Sequence, residues 1–320
     1  MATFLVTGGC GFIGSHLCAA LRARGDQVRV LDDLSTGSAG NLAPGATLLR
    51  GDVADPAAVR DAMAGVDGCF HLAAIASVER GVREWLGTHR VNLSGTIALL
   101  EAARPGGAHG KPDAIPVVYA SSAAVYGDHA VLPIDEAAPA RPLSAYGADK
   151  LGCEQHARVA GIVHGIPTLG LRFFNVFGPR QDPRSPYSGV ISIFCDRLSR
   201  GEAVQVFGDG RQTRDFVFVT DVVAALLAAM RVASPAAPVF NVCTGQPTSV
   251  RELAEVVARL CETPLELRHG PARAGEIQHS LGSPARAREA LHLGMPVGLR
   301  AGLAEVVAWL RAGRPGLVDG

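Results

Sequence analysis

"FLVTGGCGFIGSHL", residues 4–17, runs from an apolar, strand-like stretch through spaced glycines into a helical pattern. Glycine at positions 8, 11 and 14 permits a tight turn, lets a pyrophosphate approach the backbone, and lets the helix pack close to the sheet. The N–H groups opening that helix then face the phosphate charge. On its own this spacing is a weak signal, and a glycine turn beside a solvated acid would also satisfy it. The next strand-like run, "QVRVLDD" at 27–33, adds Asp32 at the separation expected of a carboxylate that binds the adenosine ribose hydroxyls. Asp32 and Asp33 stand where a 2′-phosphate would need a cation, so the pattern favours NAD over NADP.

Further along, "GDV" at 51–53 follows a third strand, where Asp52 is placed to reach adenine or, on the plainer reading, to cap a helix. The first half of the chain continues to alternate apolar runs such as "VDGCFHLAA" and "IPVVYASS" with helical patterns. Repeated βα units predict an α/β fold, a Rossmann-type doubly wound parallel sheet with a smaller α/β C-terminal substrate domain. The expected division is an NAD-binding domain over 1–174, to which a segment at about 215–235 returns, and an interleaved substrate-binding part over 175–320. "PGGAHGKPD" at 105–113 and "RQDPRSPYSG" at 180–189 have the composition of loops. Ser249 and Glu252 form a predicted capping box at the start of an amphipathic helix.

The 320 residues suffice for a substantial core, and 48% hydrophobic with 19% charged residues is a globular composition. Formal net charge is zero with no basic run, which argues against nucleic acid or an anionic membrane as partner. The longest apolar run, "VVAALLAAM" at 222–230, is about half a membrane span, and the N-terminal residues lack a signal-peptide pattern. A soluble, cytoplasmic chain is expected. Seven scattered cysteines without a Cys-x-x-Cys motif read as small buried hydrophobes rather than disulfides or a zinc site, and no metal is expected.

"SAYGADK" at 144–150 places Tyr146 four residues before Lys150, on one helix face. A nearby ammonium favours the phenolate over the phenol, which would make the tyrosine a usable base. The same spacing suits an ordinary amphipathic surface pair, and spacing alone leaves both readings open.

Taken together, "TGGCGFIGSHL", "GDV", "HLAAIASV", "VNLSGT", "YASSAAVYG", "YGADK", "LRFFNVFGPRQDP", "FGDGRQTRDFVFVTDV" and "NVCTG" resemble the extended short-chain dehydrogenase/reductase family. Within it they are similar to nucleotide-sugar epimerases of the UDP-glucose 4-epimerase type, over nearly the whole chain. The resemblance implies that Tyr146 is the catalytic base and that Lys150 binds the nicotinamide ribose. It implies that Gly8, Gly11, Phe12, Ile13 and Gly14 line the pyrophosphate and that Asp32 holds the ribose. Asp52 and Val53 then flank adenine, with Leu72, Ala73, Ala74 and Asn92 along the cofactor. Ser122 matches the hydroxyl that hydrogen-bonds the reacting sugar oxygen. Asn175, Phe207, Arg214 and Arg273 match positions that grip the nucleotide and its diphosphate, for which arginine forks are well shaped. Phe207 also suits a core position and Arg214 a structural ion pair. His71 reads as a packed histidine rather than a catalyst.

The implied reaction is C4 epimerisation of a UDP-sugar through a transient 4-keto intermediate, by a homodimer packed through the helix that carries Tyr146. Related dehydratases and decarboxylases carry acidic residues just before Val-Tyr-Gly; here Ala123 and Ala124 stand there, and alanine cannot protonate a leaving group. UDP-glucuronate 4-epimerisation, nucleotide-sugar 4-reduction and non-catalytic NAD sensing are the alternatives. In "RAGEIQHSLGS", Ser280 falls beside the sugar's C2 substituent by that resemblance, where a small residue leaves room for an N-acetyl group. Glu276 replaces the aspartate of the family pattern there. UDP-glucose and UDP-N-acetylglucosamine are therefore both expected substrates.

Overall fold

The computed structural model describes residues 1–76, 78–183, 189–272 and 277–313. In chain order its elements are β1 (Thr3–Thr7), α1 (Phe12–Ala23), β2 (Gln27–Asp32), β3 (Thr47–Arg50), α2 (Pro56–Met63) and β4 (Gly68–His71). Next come α3 (Val78–Arg83), α4 (Trp85–His89), a π-helical turn (Arg90–Ser94), α5 (Gly95–Ala102), β5 (Val117–Ser122), α6 (Ala145–His164) and β6 (Thr168–Phe173). The second half holds β7 (Asn175–Phe177), α7 (Val190–Ser199), β8 (Val204–Phe207), β9 (Thr213–Phe218), α8 (Val219–Val232) and β10 (Val239–Val242). It ends with β11 (Pro247–Ser249), α9 (Val250–Cys261), β12 (Leu267–Gly270), α10 (Ala285–Leu291) and α11 (Leu299–Arg311).

Seven strands form one sheet in the order β10-β6-β5-β4-β1-β2-β3, and every adjacent pair is parallel. From β1 the chain builds outward in one direction through β2 and β3, then returns to β4 on the other side of β1. In such sheets, ligands bind in the crevice at the carboxyl ends of the strands where the order reverses.

Helices cover both faces. Leu17 and Leu21 of α1, Val222 and Leu226 of α8, and Leu291 of α10 bury against Val6, Val28, Val118 and Leu171. On the other face, Val59 and Met63 of α2, Leu99 of α5 and Ala160 of α6 bury against Leu5, Leu31 and Val117. Alternation of strand side chains accounts for neighbours Leu5 and Val6 serving different layers. A third cluster joins α7, α9 and α11 to Phe177, Phe216 and Phe218. Around it lie a small sheet of β11-β9-β7 and the pair β12-β8. The part returning to the main sheet extends past residue 235, since α8, β10 and α10 all pack there, whereas β9 stays in the small sheet. Helix α9 opens on the predicted capping box, with Ser249 accepting from Glu252 N and the Glu252 carboxylate accepting from Ser249 N at 2.8 Å.

Candidate active site

The turn between β1 and α1 is built on glycine for reasons visible in its contacts. Gly8 has φ +70, and a Cβ there would lie 2.7 Å from Ala73 N. A Cβ on Gly14 would meet the carbonyl oxygen of Gly8 at 2.1 Å. Helix α1 begins at Phe12 with Gly11 as a cap that offers no side chain, so its first-turn N–H groups are left for a ligand. One strand over, Asp32 accepts from Cys10 N and from Leu34 N, each at 2.9 Å. Burial raises the Asp32 pKa above the ordinary carboxylate value, and these N–H donors oppose that rise. Asp33 accepts from Ser35 N at 2.9 Å and from the Ser35 hydroxyl at 2.6 Å.

A cavity of about 760 Å³ opens at the carboxyl ends of these strands. Gly8, Gly11, Phe12, Ile13, Gly14, Asp32, Asp33, Asp52 and Val53 line it, as do Leu72, Ala73 and Ala74. Ser122, Tyr146, Lys150 and Asn175 line the same cavity. Helix α6 presents Tyr146 and Lys150 from its first two turns, capped by Ser144, whose hydroxyl accepts from Gly147 N at 3.1 Å. Lys150 is 2% exposed, and its Nζ lies 5.8 Å from the centroid of the Tyr146 ring. A surface pair is thereby ruled out. At the end of β5, Ser122 Oγ accepts from Ala124 N at 3.1 Å, which leaves its proton free to point elsewhere.

His71 holds the floor of the site. Thr7 Oγ1 accepts from Leu72 N and Ala73 N, each at 3.2 Å, so its own proton goes to His71 Nδ1 at 2.7 Å. By exclusion the neutral ring carries its proton on Nε2 and donates to Thr96 Oγ1 at 3.0 Å, which donates in turn to Asn92 O at 2.7 Å. Burial, assisted by the Lys150 charge, pushes the His71 pKa down to about 3. This is a packed histidine that fixes the backbone of "HLAA".

Several expected residues sit elsewhere. Asn92 is fully buried and does not line the cavity; its amide accepts from Ile75 N at 2.8 Å and donates to Ile75 O at 3.1 Å, bracing the wall from behind. Asp52 is not a helix cap: Asp55 caps α2 by accepting from Ala57 N at 2.9 Å. Phe207 on β8, Arg214 on β9 and Ser280 do not line the cavity. Arg214 Nη1 donates to Thr213 O at 2.9 Å, and Ser280 N donates to the same carbonyl at 3.1 Å, so these two lie together beside β9. Arg273 and Glu276 lie outside the described residues.

Sequence reasoning passed over Arg90 and Gln181, which both line the cavity. Arg90 Nη2 donates to Asp52 Oδ2, while Ala54 N donates to Asp52 Oδ1 at 2.8 Å. A lone arginine inside a helical pattern carries no signal of such a partner 38 residues away.

Residues 4–243 match the family model described as the NAD dependent epimerase/dehydratase family. The chain belongs to this family. Its cofactor is NAD, and the glycine turn, the uncapped start of α1 and Asp32 fit that dinucleotide. The chain is 38% identical to a UDP-glucose 4-epimerase of Mycolicibacterium smegmatis, over 96% of this chain and 98% of that one. Among solved structures it resembles the UDP-glucose 4-epimerase of Thermotoga maritima with UDP-glucose, at TM-score 0.91 and 35% identity, covering 97% and 99% of the two chains. It also resembles a UDP-N-acetylglucosamine 4-epimerase of Methanobrevibacter ruminantium M1 in complex with UDP-N-acetylmuramic acid, at TM-score 0.90 and 32% identity, covering 98% and 99%. Among the described residues, no helix is long and apolar enough to cross a membrane.

Proposed function

We propose that this member of the family is a UDP-sugar 4-epimerase acting on UDP-glucose and UDP-N-acetylglucosamine and their C4 epimers. The observation that carries the reading is the convergence of Tyr146, Lys150 and Ser122 on the cavity that the glycine turn opens. NAD, which the glycine turn, the start of α1 and Asp32 would hold, would supply a reversible hydride acceptor for the sugar's C4. Tyr146 accepts the proton of the 4-hydroxyl, and Ser122 donates a hydrogen bond to the same oxygen as it becomes a carbonyl. The buried ammonium of Lys150 stabilises charge on the phenol oxygen and binds the nicotinamide ribose. Turnover of the ketone before the hydride returns inverts C4, and Tyr146 gives the proton back.

Dehydration would need an acid beside the leaving hydroxyl. Ala123 and Ala124 offer none, which supports epimerisation over elimination. The test is incubation of the purified protein with UDP-glucose, UDP-N-acetylglucosamine and UDP-glucuronate without added cofactor. An equilibrium mixture of C4 epimers is expected from the first two; turnover only on adding NADH or NADPH would identify a reductase instead.

The working unit proposed is a homodimer packed through α5 and α6. Val159, Ile162 and Val163 on α6 are 50%, 67% and 63% exposed and recur at i, i+3 and i+4, and Ile97 of the neighbouring α5 is 38% exposed. An apolar stripe of this kind on a soluble surface suits a second copy of itself. Sedimentation should give twice the monomer mass, and Ile162→Glu should give one.

A further inference from the structure

On the face of the main sheet that α6 covers, one row is polar where a core would be apolar. Ser121 of β5, Arg172 of β6 and Asn241 of β10 are paired in register, so their side chains stand abreast on that face. They are 2%, 7% and 0% exposed. Helix α6 lowers Glu154 onto this row. Glu154 lies one turn beyond Lys150 and two beyond Tyr146, so the three share one face of the helix.

The side chains of this row are linked to one another, and Glu136 joins them from the side: its carbonyl accepts from Arg172 Nη1 at 3.3 Å and its carboxylate from Asn241 N at 2.8 Å. Arg172 Nε donates to Glu154 Oε1 at 2.9 Å and Nη2 donates to Oε2 at 2.7 Å, a two-pronged ion pair. The Ser121 hydroxyl, one residue before Ser122, donates to Glu154 Oε1. Arg172 Nη1 donates to the Tyr126 hydroxyl at 2.8 Å, which donates to Asn241 Oδ1 at 2.6 Å. Asn241 Nδ2 ends the chain by donating to Ile134 O at 3.0 Å. Glu154, Arg172 and Asn241 do not line the cavity, so they have no route to the reacting atoms except through what they hold.

A buried ion pair is a weak stabiliser, because desolvating both charges offsets their attraction, and apolar replacements of similar size are often as stable. Its use here is geometric. We propose that the Arg172–Glu154 pair, seated on this polar row, is the positioning device of the active site: it fixes the height and rotation of α6 on β5 and so the placement of Lys150 and Tyr146 against Ser122. The proposal rests on the reading above for its turnover arm, while its cofactor arm needs no sugar.

The test replaces both partners together, Arg172→Met with Glu154→Leu, so that no buried charge is stranded. The expected variant melts within a few degrees of the parent, loses about 100-fold in kcat with KM for the UDP-sugar changed by less than about threefold, and binds NAD about tenfold more weakly. In a Lys150→Met background, the same pair of replacements should add no further loss of NAD affinity, because the loss acts through Lys150. A folded variant with parental kcat and NAD affinity, or equal losses of NAD affinity in both backgrounds, overturns the proposal. Should the double variant fail to fold, Arg172→Lys keeps the charge and loses the fork; it is expected to lose about tenfold in kcat, and parental turnover there overturns the proposal as well. A chain that shows the NAD coupling yet epimerises no UDP-sugar would overturn the proposed function and leave the positioning role standing.

Discussion

Lys150 Nζ lies 5.8 Å from the centroid of the Tyr146 ring, one helical turn along α6, with the lysine buried to 2% exposure. Tyr146→Phe keeps the ring and removes the proposed proton acceptor, so turnover should fall at least about 100-fold while NAD still binds. Lys150→Met should lose turnover and also weaken NAD binding. Steady-state rates together with a cofactor titration check both outcomes.

At Gly8 and Gly14 the turn leaves no room for even a methyl group. Gly14→Ala would set a Cβ 2.1 Å from Gly8 O, a contact that only backbone movement can relieve. Loss of measurable NAD binding is expected in a titration, with destabilisation of about 2 kcal/mol or more from overpacking.

Acid sensitivity should trace in part to His71. Its folded-state pKa of about 3 lies below the ordinary 6.5, so between those values the unfolded chain binds the extra proton. Stability is therefore fully present above pH 6.5 and falls as pH drops through that window. One proton amounts to about 1.4 kcal/mol per pH unit, so the group should cost about 2 kcal/mol between pH 7 and 5. His71→Asn should flatten the dependence by that amount when urea unfolding is compared at the two pH values.

All seven cysteines are free and buried. Burial also holds Cys10 and Cys18 at a pKa of about 12, and the nearby Asp32 carboxylate adds to the effect. A thiol reagent should therefore modify none of them in the native protein at neutral pH and all seven after denaturation, as counted by absorbance. Rapid native labelling would contradict the packing described.

What the sequence made legible was chemistry confined to short segments. The glycine turn and the Tyr146–Lys150 spacing are each local patterns that one turn or one helix face brings together, and they gained weight from Asp32 in the next strand and from the other motifs along the chain. Partnerships set by sheet register stayed hidden. Arg172 appeared only as a charge inside the apolar run "LRFF", and nothing nearby names Glu154, Ser121 or Asn241 as its neighbours. Arg90 and Asp52, 38 residues apart and hydrogen-bonded at the cavity wall, were equally hidden, as was β10 joining the main sheet beside β6. For Asn92, a motif position gives nearness to the cavity wall but not which side of it the amide faces.

The polar row also gives the order of synthesis a structural meaning. Asn241 follows Arg172 by 69 residues, so at about 5–20 residues per second a ribosome takes about 3–14 s to supply it after β6 is made. Through that interval the outer edge of β6 has no β10 to pair with, and the Tyr126 hydroxyl has no Asn241 acceptor. Helix α6 can already dock through Glu154 while its polar row is still short of one member. A nascent chain of this protein thus carries an open strand edge next to its own active site until β10 emerges and closes it.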